Sequence, residues 1–446
     1  MDMDEDRETL SDDDEMDDVE EEEEDEGEDG ENATTGEEPK QVYLPGQPLE
    51  EGEELVYDHT AYHMYHEAQT GAPCLSFDVL RDSLGNQRTE YPMTVYLVAG
   101  TQAEDSKPNF IVLMKMADLK RTSQNDEDSE DEEAVDDEDT PQLDTIMIQH
   151  EGVINRLRVA SMEERHLVAT WSDSGVVGIW DCSKHVLLLD APSAGGMAGK
   201  NLKGHKETPL FTFSGHQVEG FAMDWSKTVA GRLATGDCTK NIHIWNPSQG
   251  TWLVDQRPLC GHTKSVEDIQ WSPNEPSVLA SCSVDQTIRV WDCRANPSKA
   301  CMLTTHAHDT DVNVISWNRS EPLLVSGADD GTLKIWDFRQ FKSGVPAATF
   351  KHHTAAISSV EWHPSDSSVF ASAGSDDQVV QWDLAVEVDT EAGAGVDQEH
   401  LDIPPQLLFI HQGQTDIKEL HWHPQVPGVL ITTALSGFNI FKTISV

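Results

Sequence analysis

A repeat of about 45 residues runs through the second half of the chain and limits the folds open to it. Each copy opens at a histidine and closes at a tryptophan 28 or 29 residues later, and the closing tryptophans lie 45 or 46 residues apart. The four clear copies run from His216 to Trp245, His262 to Trp291, His308 to Trp336 and His353 to Trp382. Weaker copies run from His150 to Trp180 and from His411 to Phe441. Self-similarity with this period indicates an architecture in which each copy is one supersecondary unit.

Within each copy, short runs of alternating apolar and polar residues are typical of β-strands. Examples are Val266–Trp271 and residues 288–291, and a second tryptophan closes the first run of each clear copy. One unit of four short strands cannot bury both of its faces, whereas a closed ring of units buries them and leaves only protected edges. Six marked copies, with strand-like runs at 91–120 as a seventh, predict an all-β, seven-bladed β-propeller.

The copies resemble the WD40 repeat. The resemblance is carried by G-H dipeptides at Gly215-His216 and Gly261-His262, and by W-D dipeptides at Trp180, Trp291, Trp336 and Trp382. In WD40 proteins an aspartate six residues before the tryptophan binds the G-H histidine. The resemblance therefore implies that Asp285, Asp330 and Asp376 bind His262, His308 and His353 in a structural role. Thr239 and Ser174 stand at that position in two other copies, so we expect their blades to lack the full network.

The residues ahead of the repeats divide into two parts. Residues 1–40 are acidic and of low complexity, which predicts a disordered tail. In residues 41–80, apolar side chains from Ala61 to Ala68 recur at roughly helical spacing after Asp58 as a cap, which predicts a short helix over residues 57–68. The propeller is then expected over 81–446, with an acidic insert at 120–141 and an acidic, proline-containing loop at 385–406.

The formal net charge of −52 sets the class of partner. Residues 1–38 hold 23 acids and the single base Arg7, and residues 126–139 hold 11 acids and no base. Such a field repels the phosphates of nucleic acids and anionic membranes, and it attracts basic proteins. We therefore expect protein partners, with no direct binding of nucleic acid or membrane.

The chain shows no sign of catalysis. The seven cysteines include no C-x-x-C pair, and no stretch approaches 18 apolar residues. Residues 195–200 (GGMAGK) have the wrong spacing for a phosphate loop, and no hydrolase, zinc-protease or dinucleotide motif occurs. The sequence predicts a non-enzymatic scaffold without a metal or cofactor.

Five further stretches resemble the retinoblastoma-associated histone-binding branch of the WD40 proteins, including its glutamate-rich nucleolar members. They are residues 72–77, 94–102, 266–271, 295–302 and 404–412. The resemblance implies a chaperone-like scaffold for basic proteins of the nucleus and nucleolus, acting in chromatin dynamics and ribosome biogenesis. It leaves open whether the client is a histone or a basic ribosomal protein.

The resemblance also implies two binding surfaces. The first is a side groove between the leading helix and the acidic loop, formed by Tyr57, Tyr62, Tyr65, Asp397, Glu399, Asp402, Pro404 and Pro405. The second is the narrow end of the ring, represented by Asn155, Glu219, Phe221, Glu267 and Asn313. Val153, Ala356 and Ser358 make this end less acidic than in the relatives, so the side groove matches better.

Two alternatives remain open at this stage. The consecutive W-D-x-R motifs ending at Arg294 and Arg339 resemble those of substrate receptors of cullin–RING ubiquitin ligases, which would add a ligase adaptor as partner. The acidic tracts resemble those of histone chaperones, although a plain solubility tail has the same composition. Ser11 and Ser129 precede acids and are candidate phosphorylation sites, where a phosphate would add negative charge.

Overall fold

Seven β-sheets form a ring in the computed structural model, which describes residues 56–104, 107–122, 140–162, 165–191, 201–387 and 404–446. The inner strand of each sheet contacts the inner strand of the next, and the last contacts the first. The predicted seven-bladed propeller is therefore confirmed. Among the described residues, no helix is both long and apolar enough to cross a membrane.

The strands follow one another from the channel outward in each blade, and they run antiparallel. Blade 1 contains β2 (Cys74–Leu80), β3 (Met93–Thr101), β4 (Asn109–Leu119) and β5 (Gln142–His150). Blade 2 contains β6 (Ile154–Met162), β7 (Arg165–Ser172), β8 (Val177–Asp181) and β10 (Phe211–Phe213), while β9 (Asn201–His205) pairs in parallel with β5 of blade 1. A helix, α1 (Ser183–Asp190), follows β8.

The remaining blades repeat the same order. Blade 3 contains β11 (Gly220–Trp225), β12 (Leu233–Asp237), β13 (Ile242–Ser248) and β14 (Thr251–Val254). Blade 4 contains β15 (Val266–Trp271), β16 (Val278–Ser283), β17 (Thr287–Asp292) and β18 (Cys301–His306). Blade 5 contains β19 (Val312–Trp317), β20 (Leu323–Ala328), β21 (Leu333–Asp337) and β22 (Ala348–Phe350). Blade 6 contains β23 (Ile357–Trp362), β24 (Val369–Gly374), β25 (Val379–Asp383) and β26 (Leu407–His411). Short 3₁₀ turns lie at His59–Ala61, Pro297–Lys299 and Phe341–Ser343.

Blade 7 is built from both ends of the chain. Its inner three strands are β27 (Glu419–Trp422), β28 (Val429–Ala434) and β29 (Gly437–Thr443), and its outer strand is β1 (Tyr62–Ala68). The pairing of β1 with β29 joins Tyr62 to Thr443 and Ala68 to Phe438. The sheets of the ring thus begin at Tyr62, ahead of the boundary at residue 81 expected from the sequence.

The predicted helix over residues 57–68 is wrong. Asp58 does cap a turn, since its carboxylate accepts from Thr60 N at 2.8 Å, but the turn is a 3₁₀ helix of three residues that leads into β1. Tyrosine and histidine are poor helix formers, and aromatic residues fit a half-buried strand. Pairing with β29 also satisfies the backbone along β1, which outweighs the local helical spacing.

The first and third connections of each blade lie on one side of the ring. Because neighbouring strands are antiparallel, the connection from the first to the second strand and that from the third to the fourth leave a blade at the same end. We call this side the ab face. Residues 120–141 connect β4 to β5, residues 384–406 connect β25 to β26, and the N-terminal segment enters β1 beside the end of β29. All three therefore join the ring at the ab face.

Hydrogen bonds across the blade junctions close the channel wall. An inner strand is a sheet edge with unpaired N–H groups, and at six of the seven junctions a side chain of the preceding inner strand accepts from one of them. The pairs are Asp78 with Val159 N, Asp224 with Trp271 N, Asp268 with Ile315 N, Ser316 with Trp362 N, Glu361 with Trp422 N, and Glu419 with Phe77 N, at 2.7–3.1 Å. The exception is the junction of blades 2 and 3, where blade 2 presents Arg156 and Arg158, which have no acceptor atoms.

A hydroxyl at the centre of five blades joins the tryptophan to the histidine. In blade 4, Ser281 Oγ accepts from Trp291 Nε1 at 2.8 Å and contacts His262 Nε2 at 2.7 Å. Blades 2, 3, 5 and 6 repeat this around Thr170, Thr235, Ser326 and Ser372, with the tryptophans Trp180, Trp245, Trp336 and Trp382. The structural role expected for these histidines and tryptophans agrees with this geometry.

The aspartate partners differ from the expectation in two blades. Asp285 binds His262 Nδ1 at 2.9 Å and Asp376 binds His353 Nδ1 at 3.0 Å, as expected. Asp330 instead accepts from Thr332 N, and His308 Nδ1 has no hydrogen-bond partner in the described part of the chain. In blade 3, which contains Trp245, no aspartate stands six residues before the tryptophan. Asp237 at the end of β12 binds the histidine instead.

Asp237 completes its blade's network because its carboxylate lies 2.8 Å from His216 Nδ1 and also accepts from Thr239 N and Asn241 N. These bonds hold the pKa of Asp237 down at about 2 despite the opposing effect of burial. The expectation that this blade lacks the network is therefore wrong. The blade of Ser174 does lack an aspartate partner, since His150 Nδ1 lies 3.1 Å from Gly152 O.

Candidate protein-interaction surfaces

An aromatic cluster covers the outer edge where blades 6 and 7 meet. Tyr62 on β1 is buried, its ring lies 5.3 Å from Phe409 of β26, and its hydroxyl lies 2.7 Å from His411 Nδ1. Burial raises the pKa of Tyr62 and lowers the pKa of His411 to about 3, so the hydroxyl is hydrogen-bonded to an uncharged ring. Asn439 Nδ2 donates to the hydroxyl of the half-buried Tyr65 at 3.0 Å. Tyr62 thus fastens β1 to blade 6.

Tyr57 is the tyrosine of this cluster that is most open to solvent. Its side chain is 42% exposed, and its ring lies 4.6 Å from Tyr65. Val56 and Ile444 are 80% and 57% exposed, and Ile444 N donates to Ala61 O just ahead of β1. We call the exposed residues Val56, Tyr57 and Ile444, with the two tyrosines beneath them, the side surface. Apolar side chains grouped at one edge in this way are typical of docking sites.

The acidic loop joins the ring next to the side surface. Asp397, Glu399 and Asp402 lie outside the described residues. Pro404 is half-buried and Pro405 is exposed, and they precede β26, whose Phe409 packs on Tyr62. The structure therefore brings the tyrosines and the proline end of the loop to one edge, while the placement of the three carboxylates stays a prediction.

The residues expected at the narrow end begin their inner strands on the side opposite the ab face. Asn155 Nδ2 donates to the exposed Glu219 at 2.9 Å, and Asn313 Nδ2 donates to Ile357 O at 3.3 Å. Burial raises the pKa of Glu267. Phe221 is half-buried, and its carbonyl accepts from Arg156 Nε at 2.6 Å. Several of these polar groups are already paired, and a basic tail would have to compete for them.

Sequence reasoning missed a charged cluster inside the channel. Arg156 and Arg158 of β6 both contact Glu419 Oε1 of β27, at 2.6 and 2.7 Å, and Glu419 is 1% exposed. The two guanidinium groups hold the pKa of Glu419 well below its usual range although burial opposes this. His421, 3.0 Å from Glu361, has a pKa raised to about 10 by Glu361 and Glu419 against the effect of burial. The alternating arginines of β6 were the available signal, since residues i and i+2 share a strand face.

The cluster makes the narrow end less acidic than its carboxylates suggest. Arg156 reaches Glu419 on one side, and its charge opposes the rise in the pKa of Glu267 on the other. Arg156 and Arg158 in this part of the channel wall, together with the neutral Val153, weaken the electrostatic attraction of a basic tail to the narrow end. The side surface is therefore the stronger candidate for a basic partner.

The two W-D-x-R arginines are paired within their own motifs. Arg294 donates to Asp292 at 2.8 and 2.9 Å, and Arg339 donates to Asp337 at 2.9 Å. Both side chains remain mostly exposed, at 74% and 68%. Local pairing accounts for the motif without a partner, and the role in a ligase stays a prediction. Ser11 and Ser129 lie outside the described residues.

Comparison with known families identifies two regions of the chain. Residues 52–120, which include β1 and the tyrosines of the side surface, match the family described as histone-binding protein RBBP4 or a subunit of the CAF1 complex. Residues 254–292, 299–337 and 344–383 match the WD domain, G-beta repeat. The first match covers the strands at which the ring closes, and the second covers blades in its middle.

Three relatives align along nearly the whole chain. The protein HEAT STRESS TOLERANT DWD 1 of Arabidopsis thaliana is 45% identical over 90% of this chain and 91% of its own. The ribosome assembly protein rrb1 of Schizosaccharomyces pombe is 42% identical over 90% of this chain and 84% of its own. The glutamate-rich WD repeat-containing protein 1 of Dictyostelium discoideum is 48% identical over 91% of this chain and 85% of its own. With identity at this level across nine-tenths of its length, the chain belongs to the family of glutamate-rich WD repeat-containing proteins, a branch of the WD40 propellers that carries the RBBP4-type histone-binding segment.

Proposed function

We propose that this protein is a chaperone-like carrier for basic nuclear proteins, histones or a basic ribosomal protein, with roles in chromatin dynamics and ribosome biogenesis. Its place of action on this proposal is the nucleus and nucleolus. One observation carries the proposal: Val56 and the three tyrosines of the exposed side surface lie in the segment that matches the histone-binding family, beside the end of an acidic loop.

The side surface suits a basic amphipathic helix. The apolar face of such a helix would cover Val56, Tyr57 and Ile444, which are otherwise exposed. Its arginines or lysines would meet the acids of the adjoining loop, where an arginine can bind a carboxylate through two parallel hydrogen bonds. Tyr57, a large side chain backed by Tyr65, is the kind of anchor on which binding energy concentrates.

The acidic tracts supply the second half of the proposal. Residues 1–38 and 126–139 contribute 23 and 11 carboxylates to a chain whose remaining residues also carry a net negative charge. Dense carboxylates compete with nucleic-acid phosphates for lysine and arginine, so they shield a basic client before its delivery. The match to a histone-binding family supports a histone client, and the name of the rrb1 relative, a ribosome assembly protein, supports a ribosomal one.

The test is a titration of the purified full chain with core histones and with a basic ribosomal protein at low and moderate salt. The loop variant carries Asp397→Asn, Glu399→Gln and Asp402→Asn. Its matched control carries Asp126→Asn, Glu127→Gln and Asp128→Asn, which removes the same charge from the other acidic segment. At moderate salt we expect the loop variant to bind at least tenfold more weakly, and the control to change less than twofold. Equal losses in both variants would refute a specific site at the side surface.

A further inference from the structure

Three cations stand together at the ab face of a strongly acidic protein. Arg81 follows β2 directly, Lys227 lies two residues after β11, and Arg319 lies two residues after β19. All three side chains are exposed, and none makes an ion pair with another described residue. Because each follows an inner strand, they surround the mouth of the channel. We call them the collar.

The collar cations are close enough to influence one another. The groups packed around Lys227 and the neighbouring Arg319 guanidinium lower the pKa of Lys227, although the residue remains exposed at the surface. Arg81 and Arg319 line one cavity of about 260 Å³ on this face. The carboxylates of Asp224, Glu361 and Asp78 act on Lys227 in the opposite direction. The three exposed cations still repel one another, and an anion that binds among them reduces this repulsion.

The same cavity contains a buried hydrogen-bond donor without an acceptor. His423 is 1% exposed, and its Nδ1 accepts from Gln425 N and Val426 N at 3.1 and 3.0 Å. The ring proton therefore sits on Nε2, which is buried and has no hydrogen-bond partner among the residues that the structure describes. Arg81, Arg319 and His423 all line this cavity, and guanidinium and imidazole groups are donors suited to an oxygen anion.

The chain itself supplies an acidic segment at this face. Residues 126–139 hold 11 acids and no base, and they belong to the connection between β4 and β5. Thr122, at the start of that connection, donates from its N–H to His63 O of β1 in the adjoining blade 7. The segment therefore starts on the side of blade 1 that faces blade 7, the blade that contributes His423.

The distances allow the segment to reach the collar. Arg81 follows β2, which lies two strands from β4 in the same sheet, or about 10 Å at the usual strand spacing. The 17 residues 123–139 span roughly 55 Å when extended, so the segment can travel out and back over roughly 25 Å. A tether of this length gives a local concentration in the millimolar range.

We propose that the carboxylates of residues 126–139 bind, within the same chain, to the collar of Arg81, Lys227 and Arg319 and to the cavity beside His423. The contact is electrostatic and weakens as salt is added. A phosphate on Ser129 adds charge in the middle of the acidic run and strengthens it.

The first test measures binding of a labelled peptide of residues 123–139, added in trans to four forms of the full chain, by fluorescence anisotropy at low salt. An insert-neutral chain, with the 11 acids changed to Asn and Gln, has a vacant collar, and we expect it to bind the peptide at least tenfold more tightly than the native chain. Adding Arg81→Gln, Lys227→Gln and Arg319→Gln to the insert-neutral chain should remove that binding. The matched control adds Lys240→Gln, Lys264→Gln and Lys351→Gln, three exposed lysines away from the ab face, and should bind like the insert-neutral chain.

The second test uses the unaltered chain and does not depend on how the variants fold. A carbodiimide joins a carboxylate directly to an amine in contact with it, so we expect an amide between Lys227 and an acid among residues 126–139. The proposal is overturned if the insert-neutral chain binds the peptide no better than the native chain, or if the collar and control variants bind alike. A cross-link from Lys227 to residues 1–38 in place of 126–139 also overturns it.

Discussion

Replacing Asp285 by alanine tests whether the histidine–aspartate bonds hold the blades together. The Asp285 carboxylate accepts from His262 Nδ1, from the backbone N–H groups of Thr263 and Thr287, and from Thr287 Oγ1, at 2.5–3.1 Å. Its side chain is 5% exposed. The substitution leaves these donors without the charged acceptor, and we expect a loss of about 3 kcal/mol in the free energy of unfolding.

Asp330 provides a matched control at the equivalent position of the next blade. Its carboxylate accepts from Thr332 N and makes no hydrogen bond to His308. Asp330→Ala therefore removes the same side chain without breaking a histidine bond, and we expect the effect of an ordinary surface substitution, about 0.5 kcal/mol.

The assay is differential scanning calorimetry at neutral pH and one fixed scan rate. For a chain of this size, 1 kcal/mol corresponds to about 1 °C in Tm. Asp285→Ala should lower Tm by about 3 °C and Asp330→Ala by less than about 1 °C. Equal shifts for the two variants would show that the turn, and not the bond to histidine, supplies the stability.

Four further results are expected. His411 has a folded pKa of about 3 against 6.5 when unfolded, so its protonation favours unfolding as pH falls below 6.5, at up to about 1.4 kcal/mol per unit, and the fall in Tm between pH 6.5 and 4.5 should be shallower in His411→Asn. Tyr62→Phe removes the hydroxyl bound to His411 and should cost about 1–3 kcal/mol by calorimetry, whereas a normal Tm would disprove the fastening role of that bond. Tyr57→Ala should leave Tm unchanged and weaken histone binding at least tenfold in the titration above. Joint Arg294→Ala and Arg339→Ala substitution should leave Tm and histone binding unchanged, and loss of ligase association in a pull-down would support the second role.

The seven-bladed ring could be predicted from the sequence because the residues that define each blade recur periodically. Each tryptophan, its hydroxyl partner and its histidine recur at nearly the same offsets, as in the unit of His262, Ser281 and Trp291. Repetition exposes such local networks even without coordinates. The assignment of aspartates by a fixed offset succeeded for Asp285 and failed for Asp330, because the offset specifies a place in the turn and not the direction of the side chain.

The parts of the surface that were missed depend on pairs far apart in the chain. Residues 62–68 form a strand because they pair with β29, as Tyr62 does with Thr443. The arginines of β6 find Glu419 more than 260 positions later. Local spacing carries no information on such distant partners. The residues at 57–68 fit a helical pattern and a strand pattern, and the strand is favoured because it pairs with the open edge of β29.

Blade 7 combines β1 with three strands that lie far along the chain, so the ring can close only late in synthesis. Among the described strands, β1 is synthesised first, and its partner β29 is synthesised last. At 5–20 residues per second the intervening stretch of about 375 residues takes roughly 20–75 s. Throughout that time the ring of the nascent chain is open and one strand edge is unpaired, and an unpaired edge promotes aggregation.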